Sequence, residues 1–484
     1  MTASTPRLAT RLAYGVGQAA EGIKVAALGG LVFFYYHQVL GLSSIATACA
    51  LFLGIVGDTF SDVLAGSISD RLRHHRGQRH PLMLAAALPT CVALVALFCI
   101  GPGHLEGISL FSWLAAWLLV CRISMSFFRV PHFALGADMG DSARARTTNV
   151  AFRQFFHVAG AMLVFWVAQL LMVPTPDFPV AQANPDYYSK FSIICASTAL
   201  VVMLIATFGT WHTASPAPIS RQTTGPRMAA LVDAIHHTLR PRSFRILMYC
   251  VGAFGIAAGV QRATEIYVAS YFWQLATQNV LLLPVATLTG ALAGTIFWNQ
   301  ISQLIPMRTC YVVGVSSYAL LAIGLPVAHL LQLFPPKQAD AFVAIVLGSA
   351  VLGGLLSAAP SVFVGSMIAD IIDNDERQTG RRRAASFFGT AAVVAKPALG
   401  VATLLTGALI AAAGIDVDQH ASREISPSLG LAVGATVAVF ALAAAFLMYK
   451  YGPDFPHELA AQPYDSESYA LQSSPNQSGE IATS

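Results

Sequence analysis

The sequence predicts an all-α membrane protein with twelve transmembrane helices in two six-helix halves. Three observations predict it: too little charge for a water-facing body, twelve apolar runs of membrane-spanning length, and a lopsided placement of basic residues between them. Of 484 residues, 55% are hydrophobic and only 11% are charged, and the mean hydropathy is +0.62. Soluble domains carry about 25% charged residues. Most of this chain must therefore face lipid or the inside of a bundle in lipid, which excludes a soluble enzyme, a nucleic-acid binder and a disordered protein. A net charge of +4 is too small to imply a polyanionic partner. The seven cysteines all lie in apolar stretches and form no CxxC pair, so they read as small core residues rather than disulfides or metal ligands.

Reading along the chain, the polar start MTASTPRLAT has no apolar core before a small-residue cleavage site, and no removed signal peptide is expected. Runs of about 20 apolar residues then fall near 12–40, 44–69, 82–101, 109–138, 149–173, 190–211, 244–274, 280–303, 309–331, 341–368, 385–413 and 428–449. Each is long, continuous and rich in Leu, Ala and Gly, so helix is expected rather than the short alternating strands of a barrel. Of the 28 Lys and Arg residues, nineteen fall in one set of loops and ends, three (Lys190, Lys337, Arg423) in the opposite set, and six inside the spans. Basic residues stay on the cytoplasmic side during insertion. Both termini are thus expected in the cytoplasm, with the protein a multi-pass monomer in the plasma (inner) membrane.

The boundaries follow. Residues 1–211 form an N-terminal six-helix half, 212–243 a central cytoplasmic loop, 244–451 a C-terminal half, and 452–484 a polar, Ser/Gln-rich tail expected to be disordered. Ala137-Asp138-x-x-Asp141 with Arg144 and Arg146 closes the fourth span, and Ala369-Asp370-x-x-Asp373 with Arg381 to Arg383 closes the tenth. A parallel repeat of two halves suits alternating access, with solute bound between them at mid-membrane.

A charge in lipid costs about 2.5–3.5 kcal/mol even on lenient scales, so the ten ionisable residues inside spans each need a reason. They are Glu21, Asp58, Asp62, Glu265, Lys24, Arg122, Arg129, Arg153, Arg262 and Lys396. Arg262 and Glu265, i,i+3 on one helix, are expected to neutralise each other. Asp58 and Asp62 in GDTFSD leave one helix face at one depth. Two such anions stay ionised only with a cation between them; otherwise one keeps a proton or pairs with a neighbouring helix. A coupling ion is bound and released in that way, and Ser61 can add a neutral oxygen ligand. Six bases against four acids leave a positive surplus that favours a solute with a carboxylate. Arg122 and Arg129 stand seven apart on one face of the fourth span, open both to the solute and to helix packing. Aromatic side chains, Phe133 among them, offer faces to a sugar ring or to the core.

Downstream of the acids, Gly66-SIS-Asp70-Arg71-LRHHR-Gly77-Gln78-Arg79 reads as a short charged turn, and it resembles the gating-loop signature of the major facilitator superfamily. Together with FFYYHQVLGLS and the paired acids it resembles the glycoside-pentoside-hexuronide:cation symporters, of which melibiose permease is a familiar member. The resemblance covers nearly all twelve spans. It implies a coupling-cation site for Na+ or H+ at Asp58 and Asp62, with Ser61 beside them and Lys396 as the lysine adjoining that site. It also implies a solute site with an acid at or beside Glu21 and an arginine at Arg153, to which the residues themselves add Lys24, Ser126, Arg129 and Phe133 as candidates. Arg129 departs from the family, standing where melibiose permease has an acid that holds the sugar, and a guanidinium donates hydrogen bonds but never accepts them.

The resulting expectation is a cation-coupled symporter of a sugar, glycoside or hexuronide-like solute. A carrier or exporter of an organic anion or lysolipid-like molecule, and a non-transporting sensor, are the alternatives. The partners are the small-molecule solute and the bilayer, with no nucleic acid and no cofactor beyond the coupling ion. No catalytic motif appears. The pattern Gly15-x-Gly17-x-x-Ala20 lies inside the first span with no preceding strand, so its glycines are expected to serve close helix packing, as are Gly255/Gly259 and Gly290/Gly294.

Overall fold

A computed structural model of the chain describes residues 8–76, 79–139, 143–178, 180–213, 236–337, 339–380, 383–415 and 427–451. Among them no strand occurs, and twelve helices are long and apolar enough to cross a membrane: α1 Leu8–Val39, α2 Ser44–Ser69, α3 His80–Phe98, α4 Gly107–Gly136, α5 Thr148–Leu171, α6 Asp186–Gly209, α7 Arg242–Phe272, α8 Thr277–Ile301, α9 Met307–Leu330, α10 Asp340–Thr379, α11 Ser386–Ala412 and α12 Ser428–Tyr449. Most of the central loop and the whole tail 452–484 lie outside the described residues.

Two helix ends differ from expectation. The helix containing α2 continues to Arg76, so the charged motif after it is helical for most of its length, not a short turn. Polar residues in water extend a helix at little cost when they are good helix formers, and SISDRLRHHR has no breaker before Gly77. In the same way α10 runs eleven residues past the expected 368. It stops at Gly380, whose φ of +68° and N–H bond to Glu376 O (2.8 Å) form a left-handed C-terminal cap.

The packing repeats with a period of six helices. In the N-terminal half α1 packs on α5 and α6, α2 on α4, and α3 on α4 and α6; the same pairs shifted by six recur as α7 on α11 and α12, α8 on α10, and α9 on α10 and α12. Close approach depends on glycines at the crossings. A Cβ on Gly22 would strike His157 O and one on Gly160 would strike Ala19 O, while across α8 and α10 a Cβ on Gly290 would strike Val351 O and one on Gly354 would strike Thr287 O. The GxxxG pairs singled out in the sequence sit at such contacts, with Gly255 and Gly259 against Ala398 and Ala402.

The first helix of each half ends alike. Residues Tyr35–Val39 and Val268–Phe272 are wide π-helical turns. Each is closed by paired N–H bonds, Leu40 to Tyr35 and Leu42 to Tyr36 in one, Trp273 to Val268 and Leu275 to Ala269 in the other, and each is followed by a positive φ at Gly41 or Gln274. Such turns re-aim side chains by inserting a residue and tend to occur at functional sites. The halves meet along α2 with α11, α5 with α8, and α1 with α7.

Candidate functional site

At the α2–α11 seam, the i,i+4 spacing places Asp58 and Asp62 on the face that meets the C-terminal half. Lys396 reaches across from α11, with Nζ 3.0 Å from Asp58 Oδ2 and 2.5 Å from Asp62 Oδ2, and it also donates to Asp58 O at 3.0 Å. Arg129 comes from α4 on the other side. Its Nη2 donates to both Asp62 oxygens at 2.7 and 2.5 Å and stands 3.9 Å from Asp58 Oδ1, while Nη1 lies 3.6 Å from Glu21 Oε1. Glu21 Oε1 also accepts from Lys24 Nζ at 3.0 Å. Glu21, Lys24 and Asp58 are each no more than 6% exposed, whereas the side chain of Asp62 keeps 26% of its surface accessible. Charges this buried persist only as a paired network.

The hydroxyls serve this network. Ser126 donates to Asp58 Oδ1 at 3.0 Å, and Ser61 lies 3.0 Å from Ser126 Oγ and 3.1 Å from Asp58 O. Ser61 thus reaches the carboxylates through Ser126 rather than lying between them.

Several expected site residues have protein partners in the structure, and one expected pairing, Arg262 with Glu265, is absent. Arg129, expected on the solute, is engaged by Asp62, because a guanidinium fork matches a carboxylate and no acid occupies its own position. Arg153 and Phe133, also expected on the solute, stack on each other, with the guanidinium carbon 3.9 Å from the ring centre, beside the Tyr14 hydroxyl. None of their described contacts joins them to the acids. Arg262 and Glu265 form no ion pair within 4.0 Å among the described residues; Glu265 instead accepts from Thr287 Oγ1 at 3.0 Å. Of the gating motif, Gly66 lies 3.8 Å from Val130 as a built Cβ would measure it, and Arg79 is buried and donates to Ser69 Oγ at 2.8 Å. Gly77 and the side chains of Asp70 and Arg71 lie outside the described residues.

Two features go beyond what the sequence marks. Arg122, open in the sequence both to the solute and to helix packing, and Arg262, expected there to neutralise Glu265, face one cleft with Lys24 between the halves. On the side opposite the termini, the halves are pinned by polar contacts. Tyr271 Oη donates to Gln38 Oε1 at 2.6 Å, His37 Nδ1 and Tyr267 Oη are hydrogen-bonded at 3.0 Å, and the segment between α5 and α6 docks on α8 through Ala181 N to Thr277 Oγ1 (3.2 Å) and Gln182 Nε2 to Thr277 O (3.3 Å). This layer closes one end of the seam.

The chain matches the family model described as MFS/sugar transport protein over residues 13–453. It belongs to that family. Its sequence is 22% identical to a putative glycoside/cation symporter, YagG, of Escherichia coli, over 86% of this chain and 85% of the relative. It is 21% identical to the isoprimeverose transporter of Lactiplantibacillus pentosus, over 93% and 90%. Its fold is similar to the crystal structure of a D-xylose-proton symporter, with a TM-score of 0.63 at 15% identity, covering 92% of this chain and 98% of that one. The protein is therefore a multi-pass membrane transporter of the glycoside-pentoside-hexuronide branch and not an enzyme, and its helices have the major facilitator arrangement.

Proposed function

We propose that this protein is a proton-coupled symporter of a sugar-like solute, with both termini in the cytoplasm and the coupling site at Asp58 and Asp62. The names of its relatives support a sugar or glycoside as solute. The observation that carries the choice of ion is the double occupation of Asp62 by Arg129 and Lys396. A sodium ion would be a third cation crowded onto two carboxylates. A proton needs no ligand shell and converts one carboxylate to a neutral acid, which weakens its hold on Lys396. Because Lys396 belongs to the opposite half, that release loosens the seam between halves, and the protonation state biases the two arrangements of the carrier. The partial exposure of Asp62 gives the proton its entry point.

The test is uptake into sodium-free proteoliposomes. An inward pH gradient drives accumulation of a transported sugar, and Asp58→Asn or Asp62→Asn abolishes accumulation. Accumulation that requires a sodium gradient and ignores pH overturns the reading.

A further inference from the structure

The cations not consumed by the coupling site lead to a second, anion-binding site. Lys24, Arg122 and Arg262 come from α1, α4 and α7 and line one cleft of about 80 Å³, walled otherwise by Leu28, Phe33, Leu51, Ile55, Leu399 and glycine backbone. The cleft lies one to two helical turns from Asp58, toward the layer sealed by His37 and Tyr267. No acid lines it. Arg122 makes no hydrogen bond or ion pair with any described residue, and its Nε is fully buried without a partner. It fits there because α2 presents Gly54, where a Cβ would stand only 3.2 Å from Arg122 Cδ and Nε. Arg262 makes no described ion pair either, its helical neighbour Glu265 being turned to Thr287. Lys24 alone is engaged, by Glu21 Oε1.

Arg122 is half-buried and its buried, unpaired Nε is costly, whereas Arg262 is exposed at the edge of the cleft; two guanidinium groups with an ammonium beside them form a fork of donors whose natural complement is an oxyanion. Around the coupling site and the cleft, five bases (Lys24, Arg122, Arg129, Arg262, Lys396) face four acids, Glu21, Asp58, Asp62 and Glu265, the last lining a neighbouring cavity together with Arg262, a surplus of one positive charge. Binding a coupling proton raises that surplus, and binding an anion lowers it. Glu21 Oε2, buried and without a partner, is an acceptor for a hydroxyl of whatever occupies the space between the cleft and the coupling acids.

We propose that Lys24, Arg122 and Arg262 form the subsite for the anionic group, carboxylate or phosphate, of an acidic sugar, and that this group's charge is what the proton at Asp58 and Asp62 accompanies. The proposal rests on the sugar-carrier reading above and narrows its solute class to anions. Arg122 and Arg262 set the specificity, and Glu21 positions a hydroxyl.

The test titrates the purified full-length protein at constant ionic strength with D-gluconate, D-glucuronate and D-glucose 6-phosphate, with D-glucose as the neutral control, and reads the melting temperature. At least one acid stabilises the protein at a concentration about tenfold or more below that needed for glucose, and the carboxylate and phosphate arms tell which group the cleft accepts. Arg122→Gln and Arg262→Gln each remove the preference, while Arg122→Lys retains part of it. Arg262 lies at the edge of the cleft, so Arg262→Gln remains informative if Arg122→Gln does not fold. Failure of all three acids to stabilise, or an undiminished preference in Arg262→Gln, overturns the subsite. Acid binding through these arginines without uptake driven by a pH gradient keeps the subsite and overturns proton coupling; uptake of neutral glycosides driven by that gradient, with no acid binding, does the reverse.

Discussion

Arg129→Gln tests whether a protein cation stands where a coupling sodium would otherwise sit. In the wild type the guanidinium lies 2.5 Å from Asp62 and 3.9 Å from Asp58, so an ion placed between those carboxylates has Arg129 about 4 Å away. At an effective dielectric of about 20, two like charges at that distance repel by about 4 kcal/mol, which is about three powers of ten in affinity. Glutamine has nearly the same length, keeps a donor for Asp62 and removes the charge. The assay is sodium titration of the melting temperature and of uptake at fixed pH, in wild type and variant. The wild type is expected to be insensitive to sodium up to the highest concentrations that leave ionic strength controllable. The variant is expected to gain a sodium response, with affinity improved by two to three orders of magnitude. A wild type that responds to millimolar sodium, or a variant that responds no better than the wild type, refutes the argument that Arg129 excludes the ion.

Three further perturbations follow from the packing and the ion network. Lys396→Gln is expected to uncouple: solute binding survives, accumulation against a gradient is lost, and the melting curve shows a cost of about 2 kcal/mol, less than the 3–5 kcal/mol typical of a broken buried pair because Arg129 still holds Asp62. Removing both tyrosine hydroxyls of the sealed layer, Tyr267→Phe with Tyr271→Phe, deletes the contacts to His37 and Gln38. It is expected to shift the resting population toward the opposite opening, seen as faster labelling of a cysteine introduced below that layer by a membrane-impermeant reagent added on the side away from the termini. Gly160→Leu and Gly354→Leu place a side chain against the backbone of Ala19 and Thr287, which cannot yield as a side-chain tip does, so both should abolish monodisperse protein in size-exclusion chromatography. Gly365→Leu, with open space around it, should be harmless.

The spans were legible because hydrophobic length is a local property of the chain, and the ten buried charges were legible because an ionisable residue stands out in an apolar run. Both signals need no knowledge of what packs against what. The pairing of those charges is a tertiary fact that no local pattern carries. Arg129 and Arg153, expected at the solute, have Asp62 and Phe133 as protein partners in the fold. Arg262 and Glu265 satisfy the i,i+3 rule, but Thr287 from α8 offers Glu265 a partner that helix periodicity knows nothing about. The sealed layer had no local signature at all. Gln38 and Tyr271 are 233 residues apart, and Gln182 and Thr277 are 95 apart, and each by itself is an ordinary polar residue near a helix end. Charge density after α2 reads as a turn, whereas Arg, Leu and Ser in water are compatible with helix until Gly77 intervenes.

Charge balance joins the coupling site to the anion cleft. With both sites empty, Lys396 and Arg129 satisfy Asp58 and Asp62, leaving Arg122 and Arg262 as the bases with no ion pair among the described residues. A proton alone frees Lys396 and adds to the uncompensated charge; an anion alone is drawn to the cleft but leaves Lys396 tying α11 to α2 and the halves locked. Only the two together release the tie without increasing the positive surplus. Partially loaded states are then the costly ones, which is the condition for symport rather than leak. The scheme makes Arg262 as important to coupling as Asp58, although they are not hydrogen-bonded to each other. Its decisive consequence is that Arg262→Gln, which lowers the surplus without touching the acids, should let protons cross with no solute present. A pH-sensitive dye inside the vesicles would register that leak, and a variant as tight as the wild type would mean that the two sites are not linked through charge.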